Sequence, residues 1–352
     1  MKRIILIGLL LLYVLPLSAQ WTNLGLGVQP QVRAAIEELR IKSSLPMIAG
    51  TWYFVDRKDG ATTGSGRSMT SAMKYLDQAY NRCISGRGDG IVIVSRSVSG
   101  SAYGVSIEQD TVLVWAKYGI TVVGIASPNA YFGRARIVGK DTLHTLITLT
   151  GQNNTFINLT FYNSPLNDNA CVANNIYLPA VKVAGARNTF INCHFNTTPD
   201  AASAYKTDIE INGGNENRFV DCMFGSSSFN AGDNAAAWIV LSGAGAQNFF
   251  ENCTFLQQVS AGTAFGAVKS TVNTSLNGLM IMRNCIFGVW RANTHADILA
   301  SWFIGTKPNT GNIILAHCVT GGFTALDAEG TNDVVWTNQP ASHATGGITV
   351  AP

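Results

Sequence analysis

The chain has 352 residues, with 24 Lys and Arg against 21 Asp and Glu, for a formal charge of +3. Charged residues make up 13% of it, so it carries no electrostatic footprint for nucleic acid or a membrane surface.

Residues 1–19 read as a secretory signal peptide. Lys2 and Arg3 form a basic start, and Ala19 is a plausible cleavage point. Ile4 to Leu17 is short for a bilayer span, although an uncleaved anchor is the alternative. Cleavage would lower the charge from +3 to +1, by loss of Lys2 and Arg3. No membrane span remains after the signal, so the expected address is secreted or cell surface. In residues 20–50, Val32 to Lys42 has helical spacing.

Residues 51–119 read as an amino-terminal cap and first coils. A strand at Thr51–Asp56 is followed by a Gly-rich loop. A helix is predicted from Met69 to Cys83, capped by Ser68, burying Ala72, Leu76, Ala79 and Tyr80. Gly88-Asp-Gly90 then turns into the strand Ile91–Val94. Arg87-Gly-Asp89 matches a cell-adhesion tripeptide, but a turn before a strand explains it as well.

Residues 120–325 are built on a returning phrase. It reads Asn154-Thr-Phe-Ile-Asn-Leu-Thr-Phe161, Asn188-Thr-Phe-Ile-Asn-Cys-His-Phe195, Asn217-Arg-Phe-Val-Asp-Cys-Met-Phe224 and Asn248-Phe-Phe-Glu-Asn-Cys-Thr-Phe255. Worn copies follow at Met280–Phe287 and Ile313–Thr320. Leu159, Cys193, Cys222, Cys253, Cys285 and Cys318 are spaced by 34, 29, 31, 32 and 33 residues. Such a period marks a solenoid. The phrase alternates apolar and polar residues, which is strand patterning. A second apolar run precedes each copy, and Gly151, Gly185, Gly213 and Gly243 follow these runs, where a turn needs permissive dihedrals. Each coil is therefore strand, Gly turn, strand, Asn bend, third strand, variable loop.

Stacking these coils predicts ladders. Phe156, Phe190, Phe219, Phe250, Met282 and Leu315 form one inner row. Phe161, Phe195, Phe224, Phe255 and Phe287 form another. Cys193, Cys222, Cys253, Cys285 and Cys318 form a third, as small buried hydrophobes, with oxidation between coils as the alternative. Asn158, Asn192, Asp221, Asn252 and Asn284 sit at the bend, where Asn tolerates left-handed backbone. Residues 326–352 read as a carboxy-terminal cap or tail.

With these features the chain resembles a right-handed parallel β-helix of the pectate-lyase-like superfamily. The expected fold class is all-β, a right-handed parallel β-helix solenoid with an amino-terminal capping helix. The resemblance places a polysaccharide site on the first-strand face. The matching outward positions are Lys182, Glu210 and Lys269, with Asp168, Lys206, Asp208, Asp233, His295 and Asp297 in nearby loops. Lys206, Asp208 and Glu210 alternate along one strand approach, so they are the catalytic candidates. Lys182, Asp208, Glu210 and Lys269 are the ligand-binding candidates. The superfamily's own catalytic signatures are absent, and Val240 and Leu299 stand where a catalytic floor wants charges.

The leading expectation is a non-catalytic surface, structural or glycan-binding module, such as a virion decoration or an adhesin. The rival is a polysaccharide lyase or glycoside hydrolase working on an extended sugar chain. No cofactor or metal site is evident; a lyase would bring Ca²⁺. The expected partner is a polysaccharide or a cell or virion surface, and a homo-oligomer stays open.

Overall fold

The computed structural model describes residues 45–95, 107–126, 135–140, 143–164, 176–198, 205–230, 236–259, 265–291, 300–326 and 334–337. The signal peptide, the 20–44 part of the helical segment and residues 338–352 lie outside them. The chain divides into two compact units, Met1–Met47 with Ser68–Thr70, and Ile48–Arg67 with Ser71–Pro352. The second unit holds the solenoid.

It is a right-handed parallel β-helix. Among the described residues, three sheets contain ten, seven and eight strands. One coil shows the plan. Val181–Val183 joins the seven-stranded sheet, Thr189–Ile191 the ten-stranded sheet and His194–Thr197 the eight-stranded sheet. Each strand pairs in parallel with its equivalents one coil away, as in Phe190 opposite Phe156 and Phe219.

That register brings like residues together. Phe156, Phe190, Phe219 and Phe250 stack at centroid separations of 5.0, 4.9 and 4.5 Å. Phe161, Phe195, Phe224, Phe255 and Phe287 stack at 5.2, 5.0, 4.4 and 4.5 Å. The two files meet edge to face, as for Phe190 and Phe195, a geometry that suits aromatic quadrupoles. Met282 and Leu315 continue the first file, both buried.

The cysteines are free thiols in the predicted file. Each Sγ donates to a carbonyl of the coil before it. Cys193, Cys222 and Cys253 reach Phe156, Phe190 and Phe219 at 3.4, 3.5 and 3.4 Å. Cys285 and Cys318 reach Phe250 and Met282 at 3.6 and 3.3 Å. Burial pushes the Cys222 and Cys253 thiols well above their usual range, which keeps them protonated donors.

Two asparagine ladders are present. The predicted one lines the bend. Asn158, Asn192, Asp221, Asn252 and Asn284 have φ of 56, 49, 54, 53 and 53°. Asn192 Nδ2 donates to Asn158 Oδ1, and Asn284 Nδ2 to Asn252 Oδ1, both at 3.2 Å. Its later members, Asp221, Asn252 and Asn284, are exposed, so this bend faces outward there.

The second ladder opens the phrase and lies inside. Asn154, Asn188 and Asn217 are wholly buried, and Asn248 nearly so. Each oxygen accepts the backbone N–H of the preceding coil: Ile120, Asn154, Asn188 and Asn217 donate to Asn154, Asn188, Asn217 and Asn248 at 2.9–3.0 Å. Each Nδ2 donates to a carbonyl of the preceding coil, on Lys117, Gly151, Gly185 and Gly214. The corner's buried backbone is thus satisfied.

Of the turn glycines, Gly213 has the positive φ expected, 79°, while Gly151 and Gly185 serve a different purpose. Gly151 and Gly185 do not have positive φ. A Cβ on either would strike the carbonyl of the residue stacked one coil earlier, Lys117 or Gly151. The non-glycine left-handed residues of this turn are Asn153, Arg187, Glu216 and Gln247.

At the amino end the helix is shorter than predicted, Leu76–Arg82. Before it, Met69–Ser71 form a 3-10 turn, and the helix is interrupted at Met73, which Trp52–Asp56 uses as an edge partner. Met73 N donates to Phe54 O and Asp56 N to Met73 O. Gln78 Oε1 accepts the Tyr75 N–H at the helix start, in place of the Ser68 cap expected. Leu76, Ala79 and Tyr80 pack inward. Lys117 Nζ closes the other end, donating to the carbonyls of Tyr80 and Cys83, both at 2.6 Å. Asp89 is buried, accepting from Thr51 N, Ile84 N and Arg87. Burial alone would raise its pKa, but Arg87 and the two amides hold it below the usual carboxylate range. An aspartate used this way is closed to an adhesion receptor, so the tripeptide is a structural turn.

The two ladders differ in what their loss costs. Asn217→Ala strands the buried Asn188 N–H and Gly185 carbonyl of the preceding coil and is expected to cost roughly 3 kcal/mol in urea unfolding. Asn252→Gly, at an exposed left-handed bend, is expected to cost within about 1 kcal/mol. Equal costs would show that burial does not set the difference.

Candidate functional site

The outward row of the seven-stranded sheet runs, in register, Val114, Thr148, Lys182, Glu210, Val240, Lys269 and Ile304. Strand alternation puts these side chains on one face, one per coil. A cleft of about 660 Å³ opens over this row. Lys182, Glu210 and Lys269 line it together, with Ser242, Tyr177 and Tyr205.

Glu210 is the fixed charge. Its Oε1 takes Lys182 Nζ at 2.9 Å and the Ser242 hydroxyl, and Asn212 Nδ2 lies 3.4 Å away. Its side chain is 6% exposed, against 31% for Lys182. Lys269 differs: among the described residues no carboxylate pairs with it. Its Nζ sits 5.6 Å from the Tyr177 ring centroid, in cation–π range. Burial lowers its pKa from the usual lysine value.

Tyr177 and Tyr205 were not anticipated. They lie in the connections that lead into the first strands. Their rings meet edge to face at 5.6 Å. Tyr177 packs against the cluster of Ala236, Ala237 and Val240, at the coil where the sheet row offers no polar group. Burial, then the neighbouring Tyr205 and Glu210, push its hydroxyl up to about 12, so it stays protonated. Ile176 and Val272 form an exposed aliphatic rim.

The structure separates the trio Lys206, Asp208 and Glu210. Only Glu210 reaches the cleft. Lys206 and Asp208 are 1% and 0% exposed, enclosed between the seven- and eight-stranded sheets. Lys206 Nζ donates to Gln257 Oε1 at 2.7 Å and lies 3.9 Å from Asp208 Oδ1. Thr197 N donates to Asp208 Oδ1 at 2.9 Å. Alternation names a side of the sheet but not whether that side is covered. Neither residue is placed to meet a ligand. Asp168, Asp233, His295, Asp297 and Leu299 lie outside the described residues.

The donor set decides which chemistries fit. Glycoside hydrolysis needs two carboxylates flanking one bond; the cleft supplies Glu210 alone, already ion-paired. Ca²⁺ takes six to eight oxygens, commonly with several carboxylates, and this cleft does not fit it. Among the described residues no group of three or more His, Cys, Asp or Glu gathers for a metal. The cleft does offer an amine of lowered pKa beside a neutral phenol.

Burial raises the Asp208 pKa from 3.8 to about 6, against the opposing pull of Lys206. The folded protein therefore holds this proton where the unfolded chain has released it. The resulting stability is full below the ordinary carboxylate pKa and is lost as pH rises through about 6. The stability difference between wild type and Asp208→Asn should fall by about 3 kcal/mol between pH 4 and pH 7. A flat difference in urea titrations would refute this.

No family model matches the sequence, and no curated protein does. Solved structures do match in fold. The pectate lyase Pel9A aligns at a TM-score of 0.55 and 16% identity, over 84% of this chain and 69% of that one. The pectin methylesterase of Aspergillus niger aligns at 0.51 and 12%, over 84% and 85%. A rhamnogalacturonan lyase aligns at 0.52 and 12%, over 78% and 69%. At such identities the likeness establishes the shared fold, a right-handed parallel β-helix.

Proposed function

We propose that this protein binds an extended, carboxylate-bearing polysaccharide across its seven-stranded sheet. The observation that carries this reading is Lys269, a partly buried ammonium in an aromatic-walled cleft with no acidic partner among the described residues. A sugar carboxylate supplies the missing charge. Tyr177 and Tyr205 offer ring faces and hydroxyls to a pyranose. The lysine pair Lys182 and Lys269 flanks a single carboxylate, so the described cleft carries an excess positive charge.

One observation favours a catalytic version. β-Elimination beside a carboxylate needs a base, and burial moves Lys269 toward that role. The base takes the proton next to the carboxylate, the glycosidic C–O bond breaks, and the leaving oxygen takes a proton from solvent or a nearby acid. Hydrolysis lacks its second carboxylate, as described above.

The two versions have opposite pH signs. Binding by the ammonium weakens as pH rises through the lowered Lys269 pKa. Elimination strengthens over the same interval, because the free amine is the base. Polygalacturonate and a neutral glucan are the probes, read by calorimetry and by ultraviolet absorbance of unsaturated ends. Lys269→Ala should weaken polygalacturonate binding about tenfold, or 1.4 kcal/mol, and should leave any neutral-glucan binding unchanged. Polygalacturonate binding that is absent, or indifferent to Lys269, would overturn the proposal.

A further inference from the structure

The buried pair Lys206–Asp208 takes no part in the cleft, yet it sits one residue from it. Tyr205 precedes Lys206 and forms the cleft wall. Leu178 N donates to Tyr205 O at 2.9 Å, and Leu178 and Lys206 form an isolated parallel bridge. Tyr177, the residue before Leu178, meets Tyr205 ring to ring. Two connections from successive coils therefore arrive at the cleft side by side, joined where the buried lysine begins.

The pair reaches three coils. Asp208 accepts from Thr197 N of the coil before it. Gly225, in the same coil as Asp208, lies close to it. Lys206 Nζ crosses to Gln257 in the coil after it. Gly225 is held at φ 77°, where an added Cβ would strike the Leu256 carbonyl. The Lys206 carbonyl accepts from Ala236 N at 3.0 Å. Ala236 packs in the small cluster with Val240, against which Tyr177 lies.

A buried ion pair is a poor source of stability, because desolvating both charges offsets their attraction. Apolar residues of similar volume would serve a core as well. What the pair has that they lack is direction, since its hydrogen bonds fix where the chain enters the strand.

We propose that Lys206 and Asp208 are positioning residues that strap three coils together and thereby hold Tyr205 and Tyr177 in the shape of the cleft wall. This rests on the binding reading for its functional consequence, but its structural half stands alone. The pair acts through the backbone of Tyr205 and does not touch the ligand.

The test uses the full chain and the double variant Lys206→Met/Asp208→Leu, which removes both charges and keeps the volume. Lys206→Met alone is a second variant in case the double variant does not fold. The first readout needs no ligand: hydrogen exchange of the Leu178 amide, which is bonded to Tyr205, against that of Asn188 in the buried ladder. The expected result is Leu178 exchange about tenfold faster with Asn188 unchanged. The second readout is polygalacturonate affinity, expected to fall about tenfold while the unfolding midpoint stays within a few degrees. Unchanged Leu178 exchange would overturn the proposal. So would a loss of protection spread evenly over Leu178 and Asn188, which marks a merely structural role. If the wild type binds no polygalacturonate, the binding reading fails, and the Leu178-to-Asn188 contrast still decides the positioning role.

Discussion

Closing a coil at the corner between the seven- and ten-stranded sheets buries backbone groups that sheet pairing cannot reach. The buried asparagines solve this. A side-chain amide has an acceptor and a donor on one planar group. Asn188, for example, accepts from the Asn154 amide and donates to the Gly151 carbonyl. Its own N–H is then taken by Asn217. Each asparagine is therefore both customer and supplier of the next, and the coil spacing is fixed by hydrogen-bond length. The phenylalanine files depend on that spacing, since rings 4.4–5.2 Å apart can stack only if their coils keep register. The cysteine thiols provide a second tie where the chain enters the third strand. They continue to Cys318, past the point where Met280 and Ile313 replace the asparagines.

This regularity is what permits a cleft. Because register is maintained, each coil presents one outward residue at each position of the seven-stranded sheet. Lys182, Glu210 and Lys269 come from three different coils, and none is near another in sequence. Lys182 and Glu210 face each other directly in register, which explains their ion pair. Glu210 and Lys269 are separated by the coil of Val240, so they do not pair. Tyr177 closes over that intervening coil. The cleft is thus a short interruption of a periodic surface, and its chemistry is set by a handful of outward positions that the core does not constrain.

Much of this was legible in the residues. Phe and Cys at fixed spacing announced the inner files, and Asn192 or Asn284 announced a left-handed bend, because few residues tolerate one. Lys182, Glu210 and Lys269 came from the superfamily resemblance, which named the face, together with strand alternation, which named the outward positions. The buried ladder was harder to see, because asparagine at a turn normally faces water. A signal existed, though. The worn copies carry Met280 and Ile313 at the same position, and only an interior site accepts Asn and Met in turn. Lys206 and Asp208 were misplaced because alternation names a face and is silent on what covers it. Tyr177 and Tyr205 belong to connections outside the repeat, where no periodicity ranks one residue above another. The helix start was misjudged for a related reason. Residues 72–74 have acceptable helix formers, but the edge strand Trp52–Asp56 claims the Met73 backbone, and a tertiary partner outweighs propensity.

The lysines of this region show how environment assigns different work to one side chain. Lys117 neutralises helix-end carbonyls, and Lys206 is locked inside with an acid and an amide. Lys182 is spoken for by Glu210. Each of these three has its donors directed at oxygen within the fold. Lys117 also lies over a ring, 4.6 Å from the Tyr80 centroid, but of the four only Lys269 meets an aromatic face with no oxygen partner among the described residues, which leaves its hydrogen-bond donors available. The cation–π contact retains the ammonium near the sheet, and the walls of the cleft lower the dielectric around it. Both effects strengthen its attraction for an anion arriving from solvent. On the binding reading proposed above, the same desolvation that makes the site costly to keep charged makes it selective for what neutralises it.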